Sequence, residues 1–227
     1  MQTLTLILSI IFFTSCGLTN SNADKKPSVI TDSTSCFTAP KTYSLKDKTI
    51  KFLWCVKKQN ESRRDSTNTI VINEEFCKTI TDPERAALGY VATFIGNECW
   101  WDGNANDDRS NLKCKILTSL NLGYQCSDKH LGFLRQWFKN DKTVLEELID
   151  CPTTPYTSTI QDTFDEITLT SKGDTIRVWF KANGVNMREH KCWSWTETDY
   201  FVLNNSELKL IKKDESNYKY EDINMSE

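Results

Sequence analysis

The central third of the chain repeats its apolar residues at helical spacing. The first such run begins at Thr81-Asp82-Pro83-Glu84, which supplies a capping side chain, an early proline and an early acid, and it ends at Gly96-Asn97. Three further segments are apolar on one face, at Leu112, Ile116, Leu117 and Leu120, then at Leu131, Leu134 and Phe138, and then at Val144, Leu145, Leu148 and Ile149. The pattern therefore predicts four short helices.

The segments on either side of these helices are typical of β-strands. Tight turns are predicted at residues 171–174 and 204–206, which are rich in Asn, Asp, Ser and Gly. The predicted strands are Thr49–Lys57, Thr69–Asn73, Ile167–Leu169, Ile176–Phe180, Cys192–Leu203 and Leu208–Leu210. Strands before and after the helices predict an α+β domain, in which the four short helices pack on one side of a mostly antiparallel sheet.

The first sixteen residues, MQTLTLILSIIFFTSC, carry no charge and contain an apolar run from Leu4 to Phe13. Spanning a bilayer takes about 20 residues, so this shorter run predicts an export signal over residues 1–16. Phe13-Thr14-Ser15-Cys16-Gly17 resembles the lipobox at which bacterial signal peptidase II cuts a lipoprotein precursor. The resemblance implies that Cys16 is lipidated and anchors an exported protein in the cell envelope, at the outer membrane or its periplasmic face. The alternative is an ordinary signal peptide cut nearby.

Cysteine usage also indicates an oxidising compartment. The chain has nine cysteines, and the eight that remain without Cys16 include no CxxC spacing, which argues against zinc and thioredoxin-type sites. We therefore expect a disulfide-stabilised domain whose bridges use Cys36, Cys55, Cys77, Cys99, Cys114, Cys126, Cys151 and Cys192. The connectivity stays open. Five of these cysteines lie in the predicted helical segment, so full pairing would send at least one bridge outside it.

Composition divides the rest of the chain. Residues 17–35, rich in Ser, Thr, Asn, Asp and Lys, are predicted to form a flexible tether, residues 36–213 a single domain, and residues 214–227 a polar frayed tail. The net charge is −3, with both signs mixed along the chain and no basic stripe. A nucleic-acid partner is therefore not expected.

The stretch NECWWDGNANDD, residues 97–108, invites comparison with a calcium-binding loop. Asp102, Asn104 and Asn106 stand at alternate positions, and Asp108 could add a carboxylate in a different geometry. An EF-hand also needs a glycine and a bidentate glutamate further on, where this chain has other residues. We therefore interpret the stretch as a turn that caps the next helix, with a calcium site as the alternative and no other cofactor expected.

Three tryptophans are candidates for a contact surface. Trp193 and Trp195 project from one face of a predicted strand and Trp179 lies on the preceding strand, so cross-strand pairing would assemble an indole shelf. An exposed shelf suits a sugar ring or a partner protein; the alternative is that the indoles face the helices. The two histidines, His130 and His190, are the candidate neutral-pH bases, but no GxSxG or HExxH motif accompanies them.

These observations favour a non-enzymatic binding or accessory module of the cell envelope. The membrane would be contacted through the lipid anchor, and a protein or a glycan would be the partner. Two alternatives stay open. One is an inhibitor or immunity-type lipoprotein directed against an exported enzyme. The other is a periplasmic hydrolase using Asp and His, for which motif spacing assembles no nucleophile, base and orienting group.

Overall fold

The computed structural model describes residues 43–59, 66–96, 112–151 and 160–222. Several predictions concern residues outside these ranges and stay predictions. They are the export signal, the tether, lipidation of Cys16, pairing of Cys36 and Cys99, and calcium binding by Asp102, Asn104, Asn106 and Asp108.

The described residues form five helices and seven strands in chain order. The first two strands are β1 (Lys48–Gln59) and β2 (Ser66–Ile72). The helices follow as α1 (Glu74–Thr79), α2 (Asp82–Phe94), α3 (Leu112–Ser119), α4 (Asp128–Trp137) and α5 (Lys142–Ile149). The remaining strands are β3 (Ile160–Lys172), β4 (Thr175–Asn186), β5 (Lys191–Asn204), β6 (Glu207–Glu215) and β7 (Lys219–Asp222).

The strands form one sheet in the order β2-β1-β3-β4-β5-β6, with β7 also paired to β5. Each of the described strand pairs is antiparallel. The α+β class and the antiparallel sheet are thus confirmed, although the sheet dominates the fold more than the sequence pattern indicated. Two-residue turns join β3 to β4 and β5 to β6, with Gly173 and Asn205 at positive φ, as the turn composition predicted.

The prediction of four helices is wrong for the described residues, because α1 is a fifth. Its N-cap is Asn73, whose Oδ1 accepts a hydrogen bond from the backbone N of Phe76 at 3.0 Å. Only Phe76 of this six-residue helix is buried. A single buried residue produces no apolar periodicity, so the available signals were the capping asparagine, two acids in the first turn and a lysine in the last turn.

The prediction of a frayed tail from residue 214 is also wrong as far as residue 222. β6 continues to Glu215, and β7 pairs with the beginning of β5. Between the two strands, Ser216 keeps contact with β5: its backbone N donates to Thr196 O at 2.8 Å, and its Oγ accepts from Thr196 N at 2.9 Å. Edge strands can be polar because their side chains stay in water while the backbone pairs.

The helices pack on one face of the sheet, and α2 contacts β3, β4, β5 and β6. Tyr90 of α2 is fully buried, with its ring centroid 5.5 Å from that of Phe138 and 5.8 Å from that of Phe201 on β5. Edge-to-face packing of this kind adds to the energy of burial. We call the side of the sheet that carries Phe201 the helix face.

A buried carboxylate fixes the start of α2 to the sheet. Glu84 Oε2 accepts hydrogen bonds from Thr81 N at 3.0 Å and from Lys48 Nζ of β1 at 2.9 Å, and Oε1 accepts from Ser171 Oγ of β3 at 2.7 Å. The sequence predicted a helix start here, and the bond from Thr81 N to Glu84 is one half of a capping box. The same side chain therefore caps a helix and connects it to two strands.

Disulfide bonding follows the prediction only in part. Cys126 and Cys151 are bridged, and Cys114 is also disulfide-bonded. Cys77 and Cys192 carry free thiols, so the expectation that all eight cysteines pair is wrong for these two. Cys192 lies on β5 and Cys55 on β1, and three strand spacings separate these strands. The resulting distance of about 14 Å between the two cysteines is too long for a disulfide. Counting cysteines cannot detect such distances.

Replacing Cys126 and Cys151 together by serine is expected to lower the free energy of unfolding by about 3 kcal/mol. The bridge closes a loop over a sequence separation of 25 residues, and its loss would free that loop in the unfolded chain. Denaturant unfolding of both proteins would measure the difference, with Cys192→Ser as a control. A double variant as stable as the parent would show that the bridge contributes nothing.

Candidate functional site

The strand register separates the three candidate tryptophans. Trp193 lies opposite Gly184, and Trp195 lies opposite Ala182, which puts both indoles on the helix face with Phe201. Trp179 lies opposite Thr198, one residue out of phase with Ala182, and therefore projects from the opposite face. The predicted shelf of three indoles is thus wrong. Side chains alternate between the two faces of a strand, and Trp179 pairs with Thr198, which lies three residues from Trp195 and so on the other face.

Two tyrosines join the two remaining tryptophans. The ring centroids of Trp195 and Tyr218 are 5.2 Å apart, and those of Tyr218 and Tyr220 are 6.2 Å apart with nearly parallel planes. Trp195 is buried at 8% exposure, whereas Tyr218 is 41% and Tyr220 is 69% exposed. We call Trp193, Trp195, Tyr218 and Tyr220 the aromatic platform. It runs from the covered part of the helix face to the surface.

The interruption between β6 and β7 builds the outer half of this platform. Residues 216–218 leave the ladder, and Tyr218 turns onto Trp195. β7 then restores pairing with Tyr220 opposite Trp193. Both tyrosines fall in the segment that the sequence pattern assigned to a frayed tail. The available signal was the tyrosine at alternate positions in Tyr218-Lys219-Tyr220, which is typical of an edge strand.

A glycine allows the Trp193 indole to lie against the neighbouring strand. A Cβ on Gly184 would collide with the Trp193 ring and with Asp162 Oδ1. Asp162 Oδ1 lies beside the Trp193 indole. Burial raises the pKa of the Asp162 carboxyl, while Lys113 and the Trp193 indole oppose the rise. The indole is therefore fixed by a β3 carboxylate beneath it and by the absence of a side chain on β4.

A cavity of about 400 Å³ opens beside the platform. Its lining, as far as the described residues form it, combines two aromatic rings with a polar rim and includes Asn186, Glu189, Lys191, Trp193, Tyr220, Glu221 and Asp222. A second cavity of about 290 Å³ shares Trp193 and Glu221 and adds Cys192, whose Sγ donates to Glu221 O at 3.4 Å. We call the larger one the platform cavity. Aromatic walls with a few polar groups are typical of ligand sites.

His130 is a structural residue rather than an accessible base. It is fully buried; Nδ1 accepts from Cys126 N at 3.1 Å, and Nε2 lies 3.1 Å from Thr93 Oγ1. Thr93 Oγ1 donates to Gly89 O at 2.7 Å, so Nε2 carries the imidazole proton and donates to Thr93. Burial lowers the pKa of His130 to about 4, which keeps it neutral at ordinary pH. His190, by contrast, is exposed in the turn between β4 and β5.

A second polar group lies on the helix face further along β5. Asp199 is 2% exposed, its Oδ1 has no hydrogen-bond partner among the described residues, and Glu197 precedes it by two residues on the same strand. Burial and the neighbouring Glu197 raise the pKa of Asp199 to about 8. Glu147 of α5 accepts a hydrogen bond from Tyr90 Oη, and Lys213 Nζ lies 3.5 Å from Glu147 Oε1. These contacts connect α2 and α5 to the β6 edge of the sheet.

Comparison of the chain with models of protein families, with curated proteins and with solved structures finds no match. No helix among the described residues is long and apolar enough to cross a membrane. Within the same residues, no group of three or more His, Cys, Asp or Glu side chains could hold a metal ion. The functional argument therefore depends on the geometry of the site alone.

Proposed function

We propose that the protein is an exported, lipid-anchored envelope protein that acts as a non-enzymatic binding module. Its contact surface is the aromatic platform together with the platform cavity. The observation that carries this proposal is the exposure of Tyr218 and Tyr220, whose rings stack in sequence on the buried Trp195. The lipobox-like sequence at Cys16 supports the anchor.

The exposure of two stacked tyrosine rings is the main support for a binding surface. Two neighbouring tyrosines in water gain little from burial, yet Tyr218 is held in place by Trp195 and by a hydrogen bond from its Oη to Glu215 Oε1 at 2.7 Å. Large, rigid aromatic side chains that lose little entropy on binding are enriched at interfaces. The hydrolase alternative has less support, because His130 is buried and both of its nitrogens are engaged.

The test is co-purification of the tagged, natively exported protein from mildly solubilised envelopes. We expect a stoichiometric partner that is lost when Tyr218 and Tyr220 are both changed to serine. Tyr124→Ser is the matched control, because Tyr124 is 58% exposed and lies between α3 and α4 rather than in the strands that carry the platform. The Tyr124 variant should keep the parental unfolding midpoint because its side chain is largely in water, whereas the double variant should unfold at a somewhat lower midpoint because it loses the packing of Tyr218 on Trp195.

Two results would contradict the proposal, one from the Tyr124 control and one from a variant without the lipidation cysteine. A partner retained equally by the platform variant and the Tyr124 variant would exclude the aromatic platform as the contact surface. A Cys16→Ser protein that stays in the membrane fraction as firmly as the parent would exclude the lipid anchor. Turnover of an ester, peptide or glycoside substrate that depends on His190 would instead support the hydrolase alternative.

A further inference from the structure

We propose that the platform cavity binds a positively charged side chain, arginine or lysine, of a partner protein. This inference rests on the proposed function, because it assigns a ligand class to the same contact surface. Three properties of the cavity carry it: the charge of the lining, the availability of the two aromatic rings, and the geometry of the strand pair that presents them.

The lining of the cavity has an excess of negative charge. Among the described residues it contains the acids Glu189, Glu221 and Asp222 against the single base Lys191. Lys191 Nζ lies 3.8 Å from Glu189 Oε2 and is partly neutralised by it. Asp222 forms no ion pair with any residue in the described ranges. An anionic ligand would therefore be repelled by the net negative charge of these residues, whereas a cation would be attracted by it.

The two rings of the cavity have no cation partner among the residues that the structure describes. The cation–π contacts found in the described part of the chain involve the rings of Phe76, Phe133, Tyr200, Tyr90 and Phe94. None of them involves Trp193 or Tyr220, although Lys191 lies in the same cavity. Indole and phenol faces attract ammonium and guanidinium groups within about 6 Å. The faces of these two rings are thus available to a cation brought by a ligand.

The register of β5 and β7 places Asp222 and the two rings on one surface. Lys191 lies opposite Asp222, and Trp193 lies opposite Tyr220. Residues two apart on a strand share a face and are separated by about 7 Å. A guanidinium stacked on Tyr220 would therefore have the Asp222 carboxylate within reach of its N–H groups, which is the combination that arginine uses best.

The rim of the cavity is fixed before any ligand arrives. Asn186 Oδ1 accepts hydrogen bonds from the backbone N of Arg188 at 3.1 Å and of Glu189 at 3.2 Å. His190 completes this turn at a φ of 53°. The volume of about 400 Å³ is at the small end of ligand sites, which suits one side chain rather than a whole cofactor. A preformed rim reduces the loss of conformational entropy on binding.

The experiment compares two blocked pentapeptides that differ only at the central residue, arginine in one and the neutral isostere citrulline in the other. Binding to the complete mature protein is followed through the indole N–H signals in NMR titrations. We expect the citrulline peptide to bind about tenfold more weakly. Asp222→Asn and Glu189→Gln should each weaken arginine-peptide binding about threefold and leave citrulline-peptide binding unchanged. Glu146→Gln, an exposed acid on α5, is the matched control.

Equal binding of the two peptides would overturn the inference, as would an Asp222→Asn variant that binds the arginine peptide as well as the Glu146→Gln variant does. Glucose or N-acetylglucosamine binding to the platform, with no dependence on Asp222, would overturn it in favour of a glycan. In these cases the envelope partner would still be lost from the Tyr218 and Tyr220 variant, so the proposed function would stand. If that variant keeps its partner and still binds the arginine peptide normally, both proposals fail.

Discussion

Replacing Glu84 by alanine is expected to lower the free energy of unfolding by about 4 kcal/mol, because the change breaks a buried and fully hydrogen-bonded carboxylate network. Glu84 has no exposed surface and accepts from Thr81 N, Lys48 Nζ and Ser171 Oγ. Burial on its own raises the pKa of a carboxyl, yet the hydrogen bonds from Ser171, Thr81 and Lys48 bring the pKa of Glu84 below its ordinary value. The carboxylate is thus more stable here than in water.

Denaturant unfolding at neutral pH would measure this loss, with Glu146→Ala as the control. Glu146 is exposed on α5, and its replacement should change stability by less than about 0.5 kcal/mol. Lys48→Met tests the ion pair separately and should cost less, because the Lys48 side chain is 25% exposed and keeps part of its hydration. A Glu84→Ala protein within about 1 kcal/mol of the parent would show that the network does not hold α2 to the sheet.

Two buried groups are expected to give the protein opposing dependences of stability on pH. The pKa of Asp199 is raised from 3.8 to about 8, so the folded protein keeps a proton that the unfolded chain releases. Its stabilising contribution is complete below pH 3.8 and is lost as the pH rises to about 8. The pKa of His130 is lowered from 6.5 to about 4, so its contribution is complete above pH 6.5 and is lost as the pH falls to about 4.

Each group alone changes the free energy of unfolding by up to about 1.4 kcal/mol per pH unit inside its own window. The two contributions oppose each other between about pH 4 and 6.5, and only the loss from Asp199 continues to about pH 8. Asp199→Asn should therefore remove the decline above pH 6.5 and leave a stability that rises by about 3 kcal/mol from pH 4 to 6.5. His130→Gln should leave a decline over the whole range.

Denaturant unfolding at pH 4.5, 6.5 and 8, with the disulfides intact, measures these slopes. Matched slopes of the parent and the Asp199→Asn protein above pH 6.5 would contradict a protonated Asp199. Lys213 and Glu147 must stay unchanged in these variants, because Lys213 lowers the pKa of Asp199 and Glu147 raises it. Changes at Lys213 would therefore alter the slope without removing the titrating group.

Local signals in the sequence predicted those parts of the fold that depend on neighbouring residues. The α2 helix was predicted from Thr81, Pro83 and Glu84 because the signals that start a helix act within one turn. The turns at Gly173 and Asn205 were predicted because few residues tolerate a positive φ. The sequence did not show that Glu84 also binds Lys48 and Ser171, since these partners come from distant strands.

The candidate site was predicted only in part, because its residues meet through register. Trp193 and Trp195 were assigned to one face correctly, whereas Trp179 required the pairing of β4 with β5 to show that it faces the other way. Tyr218 and Tyr220 lie in a segment that is polar on average, and the pairing of β7 with β5 is what brings them next to Trp195 and Trp193. The polar composition of this segment predicted a frayed tail, whereas its pairing with β5 makes it a strand.

The shortness of β7 has a consequence for how readily the surface is available. Its four residues pair only with β5, and they follow a break in the ladder at residues 216–218. Such a strand end can open without unfolding the core, in the way that local fluctuations expose backbone amides to hydrogen exchange. In the opened state Tyr220 and Asp222 no longer lie beside Trp193 and Lys191. The apparent affinity for any partner is then reduced by the fraction of molecules in which β7 has opened.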